Sequence, residues 1–178
     1  IIRNRDITGD EAIEEYLNGT LADIPSWKLL KDIDKAVEII SGKIDAGTKM
    51  RIIGDYDIDG VTATYILLKG FKRLGANVDT YIPDRVADGY GIHDHLIKKA
   101  MEDGIDTIVT CDNGISASSQ ITYAKELGMT VVVTDHHEVP FTDTEEGRTY
   151  ILPPADAIIN PKQADCTYPN KNICGAVV

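Results

Sequence analysis

Cysteine is scarce in this chain of 178 residues: there are three, an odd number, and no CxxC pair. That argues against a disulfide-stapled secreted scaffold and points to a reducing cytoplasm. Long apolar runs are missing too. None approaches the ~20 residues that a membrane-spanning helix needs, so no membrane association is expected. The N-terminus, Ile1-Ile2-Arg3-Asn4-Arg5-Asp6, lacks the apolar core of a signal peptide. It also lacks an initiator Met, which points to a piece of a longer chain. Positive charge is the last shortage. With 18 Lys+Arg against 29 Asp+Glu the formal charge is −11, so the chain has no basic carpet with which to hold duplex phosphates. A metal enzyme escapes that exclusion, because divalent cations add positive charge where an anionic substrate must sit.

What is present is ordinary for a globular protein: 43% hydrophobic and 26% charged residues, with 15 Gly and 7 Pro. The length suits one α/β domain with a small appendage. Residues 1–48 read as helical and carry no catalytic side chains. Thr8 and Glu11 have capping-box spacing ahead of Ala12, Ile13, Tyr16 and Leu17, and Asn18-Gly19 closes that helix. Pro25-Ser26 opens a second helical stretch through Leu29, Leu30, Ile33, Val37, Ile40 and Ile44. Ala46-Gly47-Thr48 reads as a linker.

Beyond it, strand and helix patterns alternate. Strands are expected over 50–54, 78–82, 107–111, 130–134 and 157–159. Helices are expected over 61–74, 93–101 and 116–127, with Val61, Tyr65, Leu68, Phe71 and Leu74 on one helical face. The polar stretch from Glu138 to Asp156 reads as a loop. This alternation predicts an open, mostly parallel sheet with helices on both faces, preceded by a short helical N-terminal segment.

Three strand ends carry chemistry. The first runs into Gly54-Asp55-Tyr56-Asp57-Ile58-Asp59-Gly60, the third into Cys111-Asp112-Asn113-Gly114, and the fourth into Thr134-Asp135-His136-His137. In an open parallel sheet these ends share one edge, where the active crevice forms. Asp55, Asp57 and Asp59 alternate, so an extended chain would aim all three the same way. Carboxylates that close repel unless a cation sits among them; oxygen ligands suit Mg²⁺ or Mn²⁺, and the imidazole of His136 favours Mn²⁺ over Ca²⁺. The plainer readings are that these Asp residues cap the following helix, that Asp112-Asn113-Gly114 is a turn with Ser116 capping the next helix, and that the histidines are a surface pair. Cys111, on a buried strand, reads as core.

These strings resemble the DHH phosphoesterases, and within them the single-strand-specific exonucleases of the RecJ type. The resemblance rests on Asp135-His136-His137, Gly54 to Gly60, Asp88-Gly89-Tyr90-Gly91, Asp112 to Ser116, Ile159-Asn160-Pro161 and Cys174-Gly175-Ala176-Val177, and it spans residues 49–178. It implies metal-dependent hydrolysis of phosphodiester bonds in single-stranded DNA, from the 5′ end and releasing mononucleotides, in DNA repair and recombination. By the same resemblance Asp57 and Asp59 are metal ligands, with Asp55 in an added acidic position. Asp112 bridges two ions, Mn²⁺ or Mg²⁺, and His136 is a further ligand. His137 faces the scissile phosphate, giving His137, Asp57 and Asp112 the catalytic roles. Asp135 orients the loop or an imidazole. Arg85 and Tyr90 flank the Asp88–Gly91 turn as substrate-binding candidates, and a helicase or single-strand-binding protein is an implied partner. Ile53 stands where many other DHH enzymes have a His, which argues against a pyrophosphatase.

The family's fourth motif supplies a further Asp, and no Asp follows Asp165. The expectation is a truncated core, with 49–178 as the phosphoesterase part and weak activity by itself. Two alternatives stay open. Asp57-Ile58-Asp59-Gly60-Val61-Thr62 imitates the nucleophile loop of haloacid-dehalogenase-like phosphatases. An inactive scaffold in a replication or repair complex would also keep this sequence.

Overall fold

The computed structural model describes residues 2–144 and 147–178. Five parallel strands form one sheet in the order β2-β1-β3-β4-β7: β1 Lys49–Ile53, β2 Asn77–Tyr81, β3 Thr107–Cys111, β4 Thr130–Thr134 and β7 Ala157–Ile159. Four helices follow α1 (Asp10–Asn18): α2 Ile33–Asp45, α3 Ile58–Arg73, α4 Asp94–Glu102 and α5 Ser118–Glu126. The expected α/β class is borne out.

Alternation along the strands divides the core into two layers. Met50, Ile52, Val109, Cys111, Val132, Ala157 and Ile159 pack under α2 and α3. Ile53, Ile108, Val131, Val133 and Ile158 face α4 and α5. The strands of such a sheet are buried on both sides, which is why β1, β3 and β4 read as near-continuous apolar runs.

Several local expectations need correction. The Thr8–Glu11 capping box does not form. Gly9 takes the N-cap without a side-chain bond, and the box appears instead at Thr20 and Asp23, on a short 3-10 turn. After Pro25, Ser26 caps another 3-10 turn, and α2 starts only at Ile33. Ala117 replaces Ser116 as the cap of α5. On α3 the buried face is Gly60, Ala63, Thr64 and Phe71, while Val61, Tyr65 and Leu74 are exposed. Close approach decides this face. A Cβ on Gly60 would lie 2.6 Å from the Asp55 carbonyl oxygen, so the helix meets the site through its small residues.

The expected loop 138–156 contains an antiparallel hairpin, β5 Phe141–Thr144 and β6 Gly147–Tyr150; Glu145 and Glu146, like Ile1, lie outside the described residues. Its cross-strand pairs explain it. Phe141 meets Tyr150 at 6.2 Å between ring centroids, and Arg148 bonds Asp143 at 3.2 Å while lying 3.7 Å over the Phe141 ring. Polar composition concealed the alternation.

Candidate metal centre

In the sheet order, β1 lies between β2 and β3, so the chain reverses its direction of growth beside β1. Ligand crevices open at that point, outside the carboxyl ends of the strands. Asp55 and Asp57 follow β1, Asp112 follows β3, and Asp135-His136-His137 follows β4. The topology therefore delivers all three strings to one edge.

The three aspartates after β1 do not lie on one extended segment, contrary to the expectation. The chain bends into α3 at Asp57, whose Oδ1 accepts the amides of Asp59 and Gly60, both at 2.9 Å. Capping is thus part of its role. Asp55 is 2% exposed, and with Asp57 and Asp112 it offers ligand atoms within 4.8 Å of one another. Asp59, in the first turn of α3, reaches the His136 side of the site. Its Oδ2 stands 3.5 Å from His136 Nε2, and both its oxygens accept backbone amides, from Gly175 at 2.6 Å and Ala176 at 2.8 Å.

A second group joins Asp112 to His136 and His137. His136 Nε2 lies 2.9 Å from Asp112 Oδ1, without the alignment of a hydrogen bond. Asp112 belongs to both groups and stands between them. Its φ of +59° is in the left-handed region, which Asp tolerates better than most residues. Asp135, 1% exposed, holds this loop: Oδ1 accepts the amides of His136 and His137 and lies 2.7 Å from His137 Nδ1, while Oδ2 accepts the Ile115 amide. His137 thus has Nε2 facing outward, 3.2 Å from the Tyr90 hydroxyl. Tyr90 meets Tyr56 edge-on at 6.4 Å, and the Arg85 guanidinium lies 5.4 Å from the Tyr56 ring centre.

Electrostatics separates these roles. Burial, then Asp59 and Asp57, pushes the Asp112 carboxyl up to about 7. Burial and the Asp57 charge also raise Asp55. Burial would raise Asp135, but the His137 imidazole and the Ile115 and His137 amides hold it below the ordinary carboxylate range. The Asp135 bond raises His137 in turn. Burial, then the surrounding carboxylates, raises Tyr90, which keeps its hydroxyl proton. Burial lifts the Cys111 thiol to about 11, so it is core and not a nucleophile.

The donor set fits divalent cations. Asp55 Oδ1 and Asp112 Oδ1 are buried without hydrogen-bond partners, an arrangement that costs several kcal/mol unless a cation or proton compensates it. Carboxylates with one or two imidazoles are a ligand set for Mn²⁺ or Mg²⁺.

Comparison with known proteins agrees. The DHH family, N-terminal domain, matches residues 49–178. The chain belongs to the DHH family. It is 38% identical over 176 residues to the single-stranded-DNA-specific exonuclease RecJ of Escherichia coli K12, covering 98% of this chain and 28% of that protein. Identity to the Bacillus subtilis 168 RecJ is 42% over 168 residues, 94% of this chain and 20% of the relative. A crystal structure of exonuclease RecJ bound to manganese superposes with a TM-score of 0.66 at 32% identity, over 76% of this chain and 32% of that one. The chain therefore spans about a fifth to a third of the length of these proteins.

The DHH triplet that names the family does three different things here: Asp135 positions, His136 meets the carboxylates, and His137 faces outward. Family membership sets aside the haloacid-dehalogenase-like alternative. Sequence reasoning missed Tyr56, which links Arg85 to Tyr90, although its place between Asp55 and Asp57 was a signal. The Cys174–Val177 string carried the resemblance, but nothing in it announced that the Gly175 and Ala176 amides meet Asp59.

Proposed function

We propose that this centre hydrolyses phosphodiester bonds in single-stranded DNA, working 5′ to 3′ and releasing mononucleotides, with Mn²⁺ or Mg²⁺ as cofactor. The sharing of Asp112 between two ligand groups carries the reading. Asp55, Asp57 and Asp112 would hold one ion, and Asp112 with His136, beside Asp59, the other. When bound, the two ions supply a water activated near neutral pH and stabilise the charge that develops on the phosphate. His137, oriented through Nδ1 by Asp135, offers its Nε2 proton to a phosphate oxygen. The Tyr90 hydroxyl now touching that nitrogen yields the place to substrate.

Arg85, Tyr56 and Tyr90 form a cation–aromatic row along the mouth of the cleft. Such a row accepts unstacked bases and a backbone phosphate, which favours a single strand over a duplex. Binding by a few shaped contacts also suits a chain of charge −11. In this reading a helicase or single-strand-binding protein presents the unpaired strand, in the cytoplasm. Among the described residues no helix is long and apolar enough to cross a membrane.

The test is digestion of end-labelled single-stranded and duplex oligonucleotides by the full-length protein in Mn²⁺. Mononucleotides should appear from the 5′ end of the single strand, and His137→Ala should slow release about 100- to 1,000-fold. Metal binding without hydrolysis would replace the enzyme reading with that of an inactive scaffold.

A further inference from the structure

The Cys174–Val178 segment crosses the site without contributing a side-chain ligand. Its amides at Gly175 and Ala176 donate to Asp59 Oδ2 and Oδ1, at 2.6 and 2.8 Å, across a separation of 116 and 117 residues. The same main chain lies against Asp112: a Cβ on Gly175 would come within 2.7 Å of Asp112 Oδ1 and 2.9 Å of its Cβ and Cγ. Gly175 is therefore required by close approach. One turn thus touches both carboxylates that face His136 Nε2.

The turn is seated independently of any ion. Tyr168 and Ile173 are buried in the core layer beneath α2 and α3, with Ala176 and Val178 packed against that layer. Its short 3-10 helix, Gly175–Val177, directs consecutive amides at the first turn of α3, where Asp59 sits. A carboxylate that accepts two amides loses its rotamer freedom before a cation arrives. Its remaining lone pairs still point outward.

We propose that the Gly175–Ala176 main chain is a positioning element of the metal centre. Two amides fix Asp59, and contact with the glycine backbone fixes Asp112, so affinity for the ion beside His136 depends on a turn that supplies no ligand. Orienting groups of this kind contribute about 10- to 100-fold to metal affinity. The inference rests on the metal-binding reading, not on nuclease activity.

The test uses Mn²⁺ titration calorimetry and the paramagnetic resonance spectrum of bound Mn²⁺ on the full-length protein. Ala176→Pro removes one amide in the first turn of the 3-10 helix, where the Ala176 N–H donates to Asp59 and to no carbonyl of the turn. It should weaken one of the two Mn²⁺ sites about 10- to 100-fold and change the resonance spectrum. Ala176→Gly keeps the amide and should stay within about threefold of the parent. Gly175→Ala, which presses on Asp112, should weaken binding at least as much as Ala176→Pro. Thermal melting in chelator reports whether each variant folds. If Ala176→Pro does not, hydrogen exchange at Gly175 and Ala176 in the parent decides: Mn²⁺ should slow it at least about tenfold by stabilising the docked turn. Parent-like Mn²⁺ affinity in folded Ala176→Pro and Gly175→Ala, or exchange indifferent to Mn²⁺, overturns the proposal. A parent that binds no Mn²⁺ would instead sink the metal reading beneath it.

Discussion

Two regions of the central sheet treat aspartate in opposite ways. Along β1 and β2, and in the turns that lead into β3 and β7, acids are neutralised. Arg51 makes a two-pronged contact with Asp79 at 2.7 and 2.8 Å and reaches Asp103 at 3.0 Å; Lys99 also pairs with Asp103, Lys43 with Asp106, and Lys125 with Asp156 at 2.6 Å. Where the strands end, Asp55, Asp57 and Asp112 have no lysine or arginine partner among the described residues, and the basic groups beside Asp112 are imidazoles. The pairs lower Asp103, Asp106 and Asp156, whereas Asp55 and Asp112 are raised. An acid that holds the fold together is given a cation. The acids proposed to hold an ion are left without one.

The largest break in this contrast is at Asp112. Asp112→Asn removes a charge from both ligand groups at once, so Mn²⁺ affinity should fall on the order of 100-fold or more, beyond what orienting residues cost. The ion-free variant should nevertheless be more stable than the parent by about 1–2 kcal/mol, because a buried charge is removed and its repulsion with Asp59 and Asp57 is relieved. Calorimetric titration and urea melts in chelator measure the two effects. A variant both unchanged in Mn²⁺ binding and less stable would reverse the role assigned to this end of the sheet.

Among the paired acids the signs should invert. Arg51 is 7% exposed and serves two carboxylates, so Arg51→Met leaves Asp79 and Asp103 facing each other without it. The aspartate side chains keep 37% and 25% exposure, which limits the loss to about 1–3 kcal/mol, short of a fully buried pair. Mn²⁺ affinity should remain within about twofold, since none of these residues belongs to either ligand group. A stability gain, or a large fall in affinity, would erase the distinction between the two regions.

Much of the candidate site was legible because its determinants are local. An apolar run that stops at an Asp marks a strand end, and parallel strands share an edge; β3, β4 and β7 begin and end at the expected residues. The DHH triplet and the acids after β1 and β3 reach one crevice as anticipated. What escaped is set by packing between distant segments. No spacing announces that Asp59 bonds the amides of residues 175 and 176, or that α3 turns its small residues inward and leaves Tyr65 in water. The hairpin at 141–150 escaped because its pairing is between polar and aromatic side chains rather than apolar ones.

The smallest effect, and the one that discriminates best between the two regions, is the pH dependence of the ion-free fold. Asp112 titrates at about 7 in the folded chain against an ordinary value of 3.8. The folded state therefore binds more protons than the unfolded chain between those values, and the stability associated with that proton is lost as pH rises through 7. His137, raised by Asp135, acts in the same direction: its stability is present below the ordinary 6.5 and lost above its folded value. The paired acids do the reverse, since Asp103 and Asp156 are lowered and lose stability only as pH falls below 3.8. From about pH 5 to pH 8 the candidate metal centre thus governs alone, and urea melts in chelator should show a fall of about 1–2 kcal/mol, discounted for solvent screening and relaxation. Asp112→Asn should flatten most of that slope, and Arg51→Met should leave it intact. Saturating Mn²⁺ should invert it, because the ion displaces the Asp112 proton and binds more tightly as pH rises. A flat parent profile would mean that Asp112 is already ionised at pH 5, and that something in the fold compensates it as fully as the paired acids are compensated.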